Sequence, residues 1–284
     1  MESRVQRYLD EVAQLHAVGV CSLVSVILFG SAASGAFSQS SDVDLIIVID
    51  NETSQEATRR LRGAVKELEI MHGLQMTASR PQKKLERFAE RAGGHAHSCF
   101  ICTRADLISG DVARIFGLRA TEEIFLERMF LASVIVAAGT VWGEYLLSLV
   151  PLPSLRRLDV FKSLFRSTAF ILFCAVGFPV LPDATKYAMG TLKHSLHSCY
   201  FCYHLRTDSL EKEVAFFNGP LGRIRTLSNL LNLRQKYHRS FAFVVRCVPT
   251  LFRLHLRTAR DNRFPRAVAI TKGLGMKMSA KQSR

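Results

Sequence analysis

The sequence predicts an α/β region at the N-terminus followed by a mostly α-helical region, and three observations carry that prediction. Two short β-branched and apolar runs, residues 24–29 and 43–49, have the length and composition of buried strands. Helix-period segments stand before and after them, so strands and helices alternate up to about Leu118. From about Thr121 the alternation stops and long helical patterns take over. The expected units are therefore an α/β domain over 1–118, a helical domain over 119–262 and a loose basic tail over 263–284. A chain of 284 residues with 48% apolar and 22% charged residues can build two cored domains. That balance excludes a wholly disordered, collagen-like or small disulfide-bonded protein.

Taken in order, Val5, Leu9, Val12, Ala13 and Leu15 repeat at helical spacing, with Asp10 and Glu11 on the outer side. The strand at 24–29 stops at Gly30-Ser31, residues 32–41 suit a turn and one short helix, and the second strand follows. Thr53-Ser54-Gln55-Glu56 offers a capping-box start for a helix that runs to about Ile70 and ends at Gly73. Residues 74–78 are short and extended in character, 82–91 form a charged helix, and 98–108 read as a strand led by Cys99, Phe100, Ile101 and Cys102. The helical region divides into 122–148, 154–176, 183–205, 209–217 and basic helices to about Arg260, with Pro151 and Pro153 as a hinge. The stripe of Phe161, Leu164, Phe165 and Phe170 reads as core.

The charge is unevenly placed. Lys and Arg number 38 against 24 acids, a net +14, and residues 218–284 hold 15 of those bases with a single acid, Asp261. The body is neutral and the last quarter carries the whole excess. Arg225, Arg234, Lys236, Arg239, Arg246 and Arg253 belong to this set, which suits the phosphates of RNA or another polyanion; some of these residues are also an ordinary solvated helix face. The uncharged stretches 129–143 and 167–182 are shorter than the ~20 residues of a membrane span. No secretory leader is visible, and seven cysteines point to reduced thiols in a cytoplasmic protein.

The chemistry concentrates in Leu28-Phe29-Gly30-Ser31 followed by Ser41-Asp42-Val43-Asp44-Leu45. Strand side chains alternate, so Asp42 and Asp44 project from one face while Val43 and Leu45 enter the core. Two carboxylates one pleat apart repel unless a cation lies between them, and hard oxygen ligands suit Mg²⁺. A Gly-Ser pair directly after a strand turns tightly and presents N–H groups to an anion such as a triphosphate.

At these residues the chain resembles the DNA polymerase β-like nucleotidyltransferase superfamily, whose signature is an hG[GS] turn, a spacer of about ten residues and Dh[DE]h on a strand. The resemblance covers about residues 20 to 110 and is greatest to small members in which one such domain, with a mixed sheet, precedes a helical bundle. It implies transfer of a nucleoside monophosphate from a nucleoside triphosphate such as ATP to an acceptor hydroxyl with Mg²⁺. Asp42 and Asp44 would be the metal ligands, and Gly30 and Ser31 would contact the nucleotide. The family also uses a third carboxylate on a later strand. Asp106 is the preferred candidate here, Glu69 is another, and Gln75 stands where small members place the acid. The acceptor suggested by the charge is RNA or a protein; a small-molecule transferase of the antibiotic type and a catalytically lapsed nucleotide or RNA binder are the alternatives. The repeated hexapeptides holding Cys99 and Cys102, and Cys199 and Cys202, read as buried structural thiols with a zinc site as the competing reading, although i and i+3 diverge in a strand.

Overall fold

The computed structural model describes residues 2–16, 22–33, 43–74, 98–117, 128–151, 155–219, 222 and 224–261. Helix α1 (Glu2–Gln14) leads to β1 (Leu23–Phe29), a single-turn helix α2 (Gly30–Ala33) and β2 (Asp44–Ile49). Helix α3 (Gln55–Met71) begins at Ser54, whose hydroxyl accepts from Ala57 N at 3.1 Å. Then come β3 (Cys99–Thr103), the short helices α4 (Arg104–Ser109) and α5 (Val112–Ile115), α6 (Arg128–Ala137) and β4 (Gly139–Gly143). The strands form one mixed sheet in the order β3-β2-β1-β4, with β2 antiparallel to β1 and parallel to β3, and β4 antiparallel to β1.

Strand β2 is almost wholly apolar because helices cover both of its faces. Leu45, Ile47 and Ile49 join Tyr8 of α1 and Leu61 and Val65 of α3 on one side. Ile46 and Val48 join Phe29, Leu107, Ile115 and Leu131 on the other. Beyond the sheet lie α7 (Arg157–Val176), α8 (Ala184–His204), α9 (Leu210–Asn218), α10 (Arg225–Gln235) and α11 (Phe241–Arg260). Their core includes Ile171, Leu192, Leu196, Val244 and Leu251, all fully buried.

Helices α7 and α11 run antiparallel. Near one end the buried His255 accepts at Nε2 from Ser163 Oγ (3.0 Å), because its Nδ1–H is given to Leu251 O (2.9 Å). At the other end Arg239 donates to the carbonyls of Phe178 and Leu181 and stacks 4.3 Å above the Phe178 ring. Arg239 is thus a structural clasp rather than a free base of the C-terminal charge.

Three sequence expectations are corrected. The strand expected over 98–108 ends at Thr103, because Thr103 and Asp106 form a capping box that starts α4. The helix expected over 122–148 gives way to β4 after Ala137, since Thr140, Val141 and Trp142 between two glycines favour a strand. Gly143, with φ of +83°, lies so close to the backbone of Val24 that a side chain there would overlap it. The sheet therefore takes its fourth strand from beyond residue 118, and Leu146, Leu147 and Val150 extend the core on that side. Finally, of the expected core stripe, Leu164 and Phe170 are buried but Phe161 and Phe165 face solvent. Residue 118 itself, Gln75, the expected elements over 75–97 and the basic tail lie outside the described residues.

Candidate active site

Asp44 opens β2 directly opposite Phe29, the last residue of β1. The chain then turns at Gly30, whose φ of +72° lies in the left-handed region that glycine enters at least cost. The turn folds onto the acid: a Cβ added at Gly30 would overlap Asp44 Oδ2 and stand 3.2 Å from Cγ. Two independent constraints, conformation and space, thus select glycine here. The backbone of α2, including Ser31, leaves from this bend. Asp42 lies outside the described residues.

The candidates for a third acid are placed differently. β3 runs parallel to β2, with Cys99 beside Leu45 and Thr103 beside Ile49. Asp106 is bound at the Thr103 end, accepting from Thr103 N (3.2 Å) and Thr103 Oγ1 (2.7 Å). That is five residues along the sheet from Asp44, about 16 Å at strand rise. The structure does not bring Asp106 to Asp44. On β3 the positions sharing the Ile46 and Val48 face are Phe100 and Cys102. Phe100 packs edge-on against Phe116 at 4.8 Å, and burial first, with the Asp106 charge second, pushes the Cys102 thiol up to about 12.

Glu69 lies at the Asp44 end. It is buried near the end of α3 and accepts from Ser98 Oγ at 2.7 Å. Ser98 in turn accepts at its carbonyl from Leu45 N, also at 2.7 Å. Glu69 therefore connects through one residue to the neighbour of Asp44, although it packs with Tyr8 and Cys99 on the α3 side of the sheet. Burial, followed by the charges of Cys99 and Glu69, holds the Tyr8 hydroxyl well above its usual range. The Ser98–Glu69 pair was not visible to sequence reasoning, since 29 positions separate its members.

The cysteine pairs do not converge. Cys99 belongs to the cluster on the α3 side of the sheet and Cys102 to the opposite one. On α8, Cys199 enters the helical core, whereas Cys202 approaches the sulfur of Met129 at 3.5 Å. Among the described residues no group of three or more His, Cys, Asp or Glu is arranged to hold a metal. For a divalent cation beside Asp44, the donor chemistry fits. A hard carboxylate stands at a backbone turn, and the sequence places a second aspartate two residues before it.

Residues 5–99, from α1 to the first residue of β3, match the family model of the Nucleotidyltransferase domain. The solved structure of a spectinomycin adenyltransferase from Enterococcus faecialis, determined with ATP and spectinomycin, is similar to this chain with a TM-score of 0.51 at 9% identity. The likeness covers 89% of this chain and 99% of that one, so the shared fold includes the helical region as well as the sheet. No curated protein matches the chain in sequence.

Proposed function

We propose that this protein transfers a nucleoside monophosphate from a nucleoside triphosphate to an acceptor hydroxyl, with Asp42 and Asp44 as ligands of Mg²⁺ and Gly30 and Ser31 against the phosphates. The observation that carries this reading is the close approach of the Gly30 turn to the Asp44 carboxylate. In the reaction the acceptor hydroxyl oxygen forms a bond to the α-phosphorus and gives up its proton to water, the bond from that phosphorus to the α,β-bridging oxygen breaks, and pyrophosphate leaves. A bound divalent cation would offset the phosphate charge as it builds up on the displaced oxygen. Asp44 holds its carboxylate beside the turn, and the turn offers backbone N–H groups to the phosphates. ATP is the donor favoured by the adenyltransferase likeness. RNA or a protein is the acceptor favoured by the C-terminal charge; a small hydroxylated molecule is the acceptor favoured by the same likeness.

One observation favours a second reading, a nucleotide binder without transfer. Phe100 and Cys102 fill the β3 face on which a further acid would stand, and Asp106 serves a helix cap. Incubation with nucleoside triphosphates labelled at the α-phosphate, Mg²⁺ and a panel of RNA, protein and small hydroxylated acceptors separates the two. Transfer that Asp44→Ala abolishes supports the enzyme. Metal-dependent nucleotide binding without transfer to any acceptor supports the binder, and absence of both refutes the site.

A further inference from the structure

Two of the four α7 residues expected in the core, Phe161 and Phe165, lie on the surface, and they belong to a longer exposed apolar row. Phe165 is 78% and Val176 84% exposed, and Leu158, Phe161 and Leu172 are exposed as well. Their spacing of three, four, seven and four residues places them along one outward face of the helix. The antiparallel neighbour α11 adds Phe241, Val245 and Phe252 on its own solvent side. Eight large apolar side chains, each at least 42% exposed, thus stand on a helix pair about 30 Å long, a concentration that marks an interaction surface.

The charges on the same two helices have one sign. Arg157 and Lys162 of α7 and Arg246, Arg253, Arg257 and Arg260 of α11 are exposed. The one acid in either helix, Asp159, is buried and accepts from Arg156 N at 2.8 Å. Asp261 caps α11, and residues 262–284 after it add six bases and no acid.

We propose that the exposed face of α7 and α11 docks on an anionic lipid bilayer. Charge complementarity selects this partner. A nucleic acid would use the bases but leave Leu158, Leu172 and Val176 wet. A second copy seated on this face would bring further bases and no exposed acid of either helix to meet them. A bilayer surface with anionic headgroups satisfies both sets: the apolar stripe enters the acyl boundary, while Arg and Lys stems extend to the phosphates. Among the described residues no helix is long and apolar enough to cross a membrane. This assignment is independent of the transferase reading, because none of its residues belongs to the Gly30–Asp44 site.

The test is co-sedimentation of the full chain with vesicles of phosphatidylcholine alone or with phosphatidylserine added, with single-stranded RNA as a separate ligand. Wild-type protein is expected to bind the phosphatidylserine vesicles at least about tenfold more tightly than the neutral ones, with affinity falling as salt rises. The pairs Phe165→Asp with Phe252→Asp, and Arg246→Ser with Arg253→Ser, are each expected to reduce that binding about tenfold or more at an unchanged melting temperature. All four side chains are exposed, so the variants should fold. The proposal is overturned if the protein ignores anionic vesicles, if the folded Phe variant binds them like wild type, or if RNA binds and displaces the protein from vesicles with the Phe pair making no difference to either ligand.

Discussion

Gly30 and Asp44 share a space that admits no methyl group: a Cβ on the glycine would overlap the carboxylate oxygen. The left-handed φ of Gly30 adds a strain of about 1–2 kcal/mol for any other residue. Gly30→Ala should therefore displace Asp44 and weaken nucleotide binding by about tenfold, equivalent to about 1.4 kcal/mol. Isothermal titration with a nucleoside triphosphate and Mg²⁺ checks this, with a thermal melt to confirm folding. Undiminished binding by a folded Gly30→Ala protein would remove the turn from the nucleotide site.

Asp106 supports a fold element instead. Its carboxylate closes the capping box at Thr103, so Asp106→Ala should lower stability by about 1–2 kcal/mol. Nucleotide binding should stay at the wild-type level, because the cap stands at the far end of the sheet from Asp44. Urea unfolding and the same titration give the two readings. Weakened binding at unchanged stability would return Asp106 to the site.

Much of this was legible because the informative patterns were local. The Gly30-Ser31 turn and the Asp44 strand are each fixed within a few residues and formed where the pattern placed them, while the α3 start took the Ser54 hydroxyl, bonded from Ala57 N, in place of a Thr53–Glu56 capping box. The surroundings of Asp106 were misread for an equally local reason, a Thr-x-x-Asp cap hidden at the end of an apolar run. Other features depend on distant neighbours. Whether β4 forms is decided by the open edge of β1, and Glu69 finds Ser98 only once α3 lies across the sheet. Phe161 and Phe165 have the periodicity of a buried face, and periodicity alone does not say whether anything lies against it.

Gly63 offers a contrast to Gly30. It sits on the exposed side of α3 with ordinary helical φ, and a Cβ there meets nothing within 4 Å. Gly63→Ala should raise stability by about 0.5–1 kcal/mol, since alanine restricts the unfolded chain and favours helix. A rise of a few degrees in Tm with unaltered nucleotide binding is the expected result. A fall in Tm would mean that this face of α3 is covered.

The last prediction concerns acid. Burial first, and the Arg166 charge beside it, hold His255 at about 4, against a partial upward pull from its bond to Leu251 O. The folded protein therefore keeps His255 neutral while the unfolded chain binds a proton below about 6.5. With the unfolded state binding more protons, stability is fully present above that pH and declines as the pH falls towards 4, by on the order of 3 kcal/mol in total. His255→Gln leaves no titrating group between Ser163 and Leu251. It should be less stable than wild type at neutral pH, having lost well-formed buried hydrogen bonds, yet lose less on acidification from pH 6.5 to 4.5. Urea unfolding of both proteins across that range isolates the contribution. Parallel declines would show that His255 is not held neutral in the α7–α11 interface.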